Sequence, residues 1–151
     1  MKKYVDVIVP LPIASQYTYS VPAELEASVQ EGCRVVVSFG QKKFYTAIVT
    51  KVHYVAPENY ETKDVEEVLD TSPVILPTQF RFWEWLSTYY LCTLGDVYKA
   101  AMPSGMKLES ETLVAYNEEF EATVPLPKNE QRILDLLNDD KEQCVTQLQK
   151  A

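Results

Sequence analysis

Apolar residues occupy alternate positions through most of the first half of the chain and then shift to spacings of three and four. In "YVDVIV" (Tyr4–Val9), Val5, Val7 and Val9 share one face of a strand while Tyr4, Asp6 and Ile8 share the other. "YTYSV" continues this alternation after a loop stiffened by Pro10 and Pro12. "RVVVSF" (Arg34–Phe39) and the run Phe44–Val55 read as two long strands joined at Gly40-Gln41-Lys42-Lys43, where Gly40 can take the positive φ of a tight bend. "DVEEVLD" (Asp64–Asp70) reads as a last strand, ended by Thr71-Ser72-Pro73. Four or five short strands in so short a stretch predict a small barrel or a highly curved sheet, which removes exposed edges by closing.

From Pro77 the period changes. "PTQFRFWEWLSTYYLC" sets Phe80, Trp83, Leu86 and Tyr90 on one helical face, with proline in the first turn. Phe82, Trp85 and Tyr89 widen that face, which predicts a helix packed on two sides. Gly95-Asp96 reads as a break before a short second helix with Asp96 as N-cap, and Pro103-Ser104-Gly105 as a domain end. The expected organisation is a β-rich domain over residues 1–105 and a second segment over residues 106–151. That segment opens with a polar, acidic passage from Lys107 to Glu121 and continues in helices near Asn129–Asn138 and Glu142–Gln149. Two short helices with so few apolar residues cannot build a core alone, so the segment reads as a domain cut short.

Charge and cysteine usage narrow the function classes. The net charge of −8 argues against a protein that coats nucleic acid, because phosphate affinity comes from Lys and Arg. Half the acidity of residues 1–105 lies between Glu58 and Asp70, whereas Lys42 and Lys43 stand apart from it. A small basic site is compatible with this distribution, and a long electropositive groove is not. Cys33, Cys92 and Cys144 are widely spaced and odd in number, which predicts free buried thiols and no zinc site in this chain. The single histidine, His53, reads as a strand-face residue. No apolar run is long enough to span a bilayer, and the N-terminus lacks the pattern of a secretion signal, so the chain reads as cytoplasmic.

For catalysis the chain is nearly silent: it has no P-loop, dinucleotide, nucleophile-elbow or H-E-x-x-H motif. The candidates for binding are Tyr17, Thr18 and Tyr19, the glycine and cations of "SFGQKK", and Lys63, a lone cation in an acidic run. On a regular strand Tyr17 and Tyr19 share a face and Thr18 takes the other, so Tyr17 and Thr18 can both meet one ligand only if the chain bulges. The residues alone allow two readings: an aromatic core, hairpin turn and solvated lysine, or a ligand pocket.

Taken in order, "VIVPLPIASQYTYSVP", "EGCRVVVSFGQKKFYTAIVTKV", "KDVEEVLDTSPVI" and "YYLCTLGDVYKAAMPSGM" resemble the N-terminal DNA-binding domain of PriA-type replication-restart helicases, also called primosomal protein N′. The resemblance runs from residue 5 to about residue 106. It implies a mainly β, barrel-like DNA 3′-end-binding domain followed by the start of a winged-helix domain. In that family the domain holds the 3′ end of the nascent leading strand at a stalled fork, in a pocket that senses the free 3′-hydroxyl. Position by position, the pocket aromatic falls on Tyr17, the base-contacting residue on Thr18, the neighbouring aromatic on Tyr19, the hairpin glycine on Gly40 and the pocket lysine on Lys63. Lys42 and Lys43 are the candidate phosphate contacts.

Family members often carry Asp where this chain has Thr18, and a hydroxyl both donates and accepts where a carboxylate only accepts. The hairpin also has Lys43 and Ala47 where Arg and Gly are common. The resemblance implies that the parent protein is an ATP-dependent 3′-to-5′ DNA helicase using ATP, magnesium and zinc, with no cofactor in this stretch and no catalysis by it. Implied partners are branched or 3′-ended DNA, single-stranded-DNA-binding protein and other primosome proteins; no membrane is implied, and a monomer is expected. The alternative is a β-barrel module that docks protein or RNA, with Tyr17 and Tyr19 purely structural.

Overall fold

The computed structural model describes residues 2–40, 43–108, 113–115, 117, 126–139 and 142–145. The chain divides into two compact units, Met1–Ser110 and Glu111–Ala151. In the first unit, strands β1 (Lys3–Ile8), β2 (Tyr17–Val21), β3 (Arg34–Phe39), β4 (Lys43–His53) and β5 (Val65–Val68) form one antiparallel sheet in the order β2-β1-β4-β3-β5. The sheet curls until its edge strands approach each other. Ser20 of β2 makes a parallel bridge to Asp64, and its N–H donates to the Lys63 carbonyl at 2.9 Å.

The inner face of the curled sheet and part of its outer face are buried, against different partners. Val5, Val7 and Val9 point inward with Tyr19, Val21, Val35, Val37, Ala47, Val49 and Val65. Ile8 and Ile48 point outward, where Ile75, Trp83, Val97, Tyr98 and Met102 cover them. Alternation on β1 therefore separates two cores, one inside the curl and one beneath the helices. A register shift between Asp6 and Val7 leaves Thr50 of β4 as an extra residue and sharpens the bend.

Two helices supply the outer cover: α1 (Pro77–Tyr90) and α2 (Leu94–Ala101). Pro77 begins α1, and the Gln79 side-chain oxygen accepts from the Leu76 N–H at 2.8 Å. Packing of α1 is one-sided, unlike the expectation. Trp83 is buried with Phe80 and Leu86 against it, whereas Phe82, Trp85, Tyr89 and Tyr90 are all more than half exposed. The eight-residue α2 is too short to cover a second face. Thr93, not Asp96, is the N-cap of α2. Its hydroxyl accepts from the Asp96 N–H, and the Asp96 carboxylate accepts from the Thr93 N–H, a reciprocal box.

The expected break at Gly95 is instead a point of close packing inside α2. A Cβ there would lie 1.9 Å from the Leu11 carbonyl oxygen and 2.7 Å from that of Val9. The proline loop after β1 thus lies directly against the first turn of the helix. Tyr98, fully buried, donates its hydroxyl to the Thr46 carbonyl at 2.8 Å and ties α2 to β4. Beyond the end of β1, the backbone of Leu108 takes over beside β4, accepting from the Thr46 N–H at 3.0 Å and donating to its hydroxyl at 2.8 Å.

Arg34, at the start of β3, is joined to Asp70, two residues beyond the end of β5. The Arg34 guanidinium meets both Asp70 carboxylate oxygens, the closest at 2.6 Å, and the Arg34 backbone N–H donates to the same carboxylate at 2.8 Å. A further guanidinium N–H reaches the Met106 carbonyl at 3.1 Å. These hydrogen bonds from Arg34 hold the Asp70 carboxyl below the usual carboxylate range despite its burial.

In the second unit, β6 (Leu113–Ala115) pairs antiparallel with β7 (Glu142–Cys144), and α3 spans Lys128–Asp139. Leu137 and Cys144 are buried. The expected helix at Glu142–Gln149 begins instead as a strand, because Glu142–Cys144 finds a pairing partner in Leu113–Ala115. That partner lies within the passage read from sequence as merely polar. Residues 146–149 of the expected helix lie outside the described residues. All three cysteines are free thiols. No described helix is long and apolar enough to cross a membrane.

Asp70→Asn is expected to destabilise the first unit by about 1.5–3 kcal/mol, the usual worth of a charged hydrogen bond. Because the folded carboxyl titrates lower than the unfolded one, its contribution is complete above about pH 5 and fades as pH falls through about 4 and below. Denaturant melts across that window should show a shallower acid slope in the variant. Gly95→Ala is expected to lower Tm markedly, since the added methyl would meet the Leu11 carbonyl oxygen at 1.9 Å and displace the proline loop.

Candidate functional site

The curled sheet leaves an opening where β2 and the end of β3 face each other. A cavity of about 290 Å³ lies there, lined by Tyr17, Thr18, Tyr19, Ser38, Phe39, Gly40, Tyr60, Glu61 and Lys63. Three segments build it: β2, the β3 end with its turn, and the loop leading into β5. Four aromatic residues, Tyr17, Tyr19, Phe39 and Tyr60, contribute to its walls. The half-buried Tyr17 ring meets Phe39 edge to face, with centroids 5.1 Å apart, and Phe39 in turn meets Tyr45 at 6.4 Å.

The two tyrosines of β2 share a face and differ in depth. Tyr19 is 4% exposed and donates its hydroxyl to the Ser38 carbonyl at 3.0 Å, bracing β2 against β3. Burial pushes the Tyr19 phenol up to about 12, with smaller contributions from Tyr60 and Tyr17, so it remains a donor. Tyr17 sits nearer the mouth.

Thr18 keeps to the regular strand. β1 and β2 pair in unbroken register, Asp6 opposite Thr18 and Val7 opposite Tyr17, so no bulge turns the Thr18 side chain inward. Its hydroxyl donates to Asp6 Oδ1 at 2.6 Å, and the same oxygen lies 3.2 Å from His53 Nε2. What Thr18 offers on the cavity side is its backbone N–H, which donates to the Tyr60 hydroxyl at 3.0 Å. His53 is a strand-face residue, stacked on Tyr4 with centroids 6.1 Å apart.

Gly40 takes φ +72° at the start of the hairpin turn and, its chain neighbours aside, no atom of the described residues lies within 4 Å of the position a Cβ would fill. Its carbonyl accepts from Lys63 Nζ at 2.6 Å, which holds the lysine over the cavity. Of the two candidate phosphate contacts, Lys43 starts β4 opposite Phe39 and is not part of the lining. Lys42 lies outside the described residues.

Phe39, Tyr60 and Glu61 join the lining, and the sequence pattern does not single them out as binding residues. Phe39 is within reach of such reasoning, since it continues the inward set of Val35 and Val37 on β3. Tyr60 and Glu61 sit in an irregular loop, where no period predicts direction. Among the described residues no cluster of three or more His, Cys, Asp or Glu side chains could hold a metal ion.

With this geometry in view, comparison with known proteins defines the class. A family model described as the PriA 3′DNA-binding domain (3′BD) matches residues 6–103, and one described as a winged helix domain matches residues 111–151. The chain belongs to the PriA 3′DNA-binding domain family. It is 30% identical over 130 residues to the replication restart protein PriA of Haemophilus influenzae, covering 84% of this chain and 17% of that protein. The Synechocystis protein of that name is 27% identical over 152 residues, covering 94% of this chain and 18% of the relative. That of Bacillus subtilis is 26% identical over 95 residues, covering 63% and 12%. The chain thus spans less than a fifth of the length of these curated relatives.

Tyr19→Phe removes the donor to Ser38 and is expected to cost about 1 kcal/mol. The raised phenol pKa stabilises the fold fully below about pH 10 and loses that contribution between about 10 and 12, so the variant should lose less stability in that range. Tyr17→Phe, which leaves the Tyr19–Ser38 hydrogen bond in place, should keep the stability at pH 7 unchanged. Chemical denaturation at pH 7 and across the alkaline range measures both.

Proposed function

We propose that the first unit binds the 3′ end of a DNA strand, the end of the nascent leading strand at a stalled fork, within a longer replication-restart helicase. The observation that carries this reading is the convergence of Tyr17, the Thr18 backbone, Gly40 and Lys63 on one cavity of about 290 Å³. Ring walls suit a nucleobase, because every base has a π-face and stacking is worth roughly 1–3 kcal/mol whatever the sequence. A single ammonium near a strand end neutralises one phosphate without the long basic groove that a −8 chain cannot supply. A site for an end needs little more, since a cavity of about 290 Å³ suits one terminal nucleotide.

The remaining activities belong, on this proposal, to the rest of the longer protein. ATP hydrolysis with magnesium, 3′-to-5′ unwinding and zinc binding would reside there, and the winged-helix segment would add a second DNA contact. Single-stranded-DNA-binding protein and other primosome proteins would be its partners in the cytoplasm. The rival reading, a module that docks protein or RNA, draws on the exposed rings of α1 and on the acidic balance.

Fluorescence anisotropy with matched single strands ending in 3′-hydroxyl or 3′-phosphate tests the reading, the hydroxyl end being expected to bind tighter. Equal affinity for both would defeat end recognition, and binding of neither would favour the docking rival. Lys63→Ala is expected to weaken binding of the hydroxyl strand at least about tenfold, in line with the loss of one charged hydrogen bond. An unchanged circular dichroism spectrum should accompany that loss.

A further inference from the structure

We propose that Glu61 is the residue by which the seam cavity prefers a terminal hydroxyl to a terminal phosphate, an inference that rests on the cavity taking a DNA 3′ end. Most polar groups of the lining are already engaged. The Ser38 carbonyl accepts from Tyr19, the Gly40 carbonyl from Lys63, and the Tyr60 hydroxyl from the Thr18 N–H. Asp64, next along the loop, is taken up by the Ser20 hydroxyl and by Lys2 at 3.7 Å, and it does not line the cavity. Among the described residues, Glu61 is the one carboxylate of the lining, and it has neither hydrogen bond nor ion pair there.

Lys63 lies two residues further on and lines the same cavity, yet no ion pair joins it to Glu61 among the described residues. An acidic and a basic residue that line one space with no ion pair between them suit a group able to donate to one and accept from the other. A hydroxyl does both. A phosphate monoester near neutral pH carries about −1.5 to −2 charges and offers acceptors, so it satisfies the lysine and is repelled by the carboxylate. In this arrangement Lys63 supplies attraction for either end, and Glu61 supplies the discrimination between them.

The test compares the wild-type chain, Glu61→Gln and Glu66→Gln with the same pair of labelled strands at fixed salt. Glu66 is an exposed carboxylate of β5 outside the cavity, so its variant controls for the change in net charge. Glu61→Gln is expected to reduce the preference for the hydroxyl end about tenfold, chiefly by tighter binding of the phosphate end, whereas Glu66→Gln leaves it unchanged. A wild-type preference retained in Glu61→Gln would overturn the role of Glu61 while leaving end recognition standing. An equal loss in both variants would also overturn it, as a general charge effect. No preference in the wild type would remove the underlying reading and this inference together. Glu61 and Glu66 are exposed, so both variants should keep the wild-type circular dichroism spectrum.

Discussion

The first unit depends on an incomplete seam. Curling brings β2 and the segment before β5 together, and hydrogen bonding closes the gap at Ser20, whose N–H reaches the Lys63 carbonyl. At Thr18 the backbone does not close, and a side chain, the Tyr60 hydroxyl, takes the next edge N–H. A fully laddered seam would satisfy the edge more simply and leave no cavity. Stopping short by one pairing step opens a space walled by Tyr17 and Phe39, with Lys63 held across it by Gly40.

That opening needs a rigid frame, and the frame comes from contacts far from it. Arg34 and Asp70 join β3 to the chain after β5, while Tyr98 and Gly95 fix α2 to β4 and to the proline loop. The proline loop links β1 to β2, so α2 indirectly sets where β2 begins. Tyr19 then braces β2 against the β3 end through Ser38. Each of these groups touches backbone carbonyls or buried charge, where an unmade hydrogen bond is costly.

Much of this frame is legible in the order of residues along the chain. The strand Arg34–Phe39 is readable residue for residue from its alternation, and the glycine bend after it from Gly40. The helix starting at Pro77 follows from a change of period, although its aromatic faces look alike in sequence and only one of them packs. Asp96 carries the right chemistry for a cap and sits three residues inside it, because Thr93 offers the same chemistry at the position the chain uses. The strand Glu142–Cys144 is hidden from such reading, since its pairing partner lies nearly thirty residues earlier in a polar run.

By itself the sequence determined what is local. Alternation set the strands and the in-or-out choice of Val5, Val7 and Val9, and side-chain type marked Tyr17, Tyr19, Gly40 and Lys63 as candidates for binding while leaving a purely structural reading open. Tertiary structure decided which of those groups meet and by which atoms. It sent the Thr18 hydroxyl to Asp6 and left its N–H beside the cavity, because a regular register fixes the side chain on the far face. It also brought Glu61, unremarkable in an acidic run, to the same opening as Lys63. Loops carry no periodicity, so only closure of the sheet could decide that.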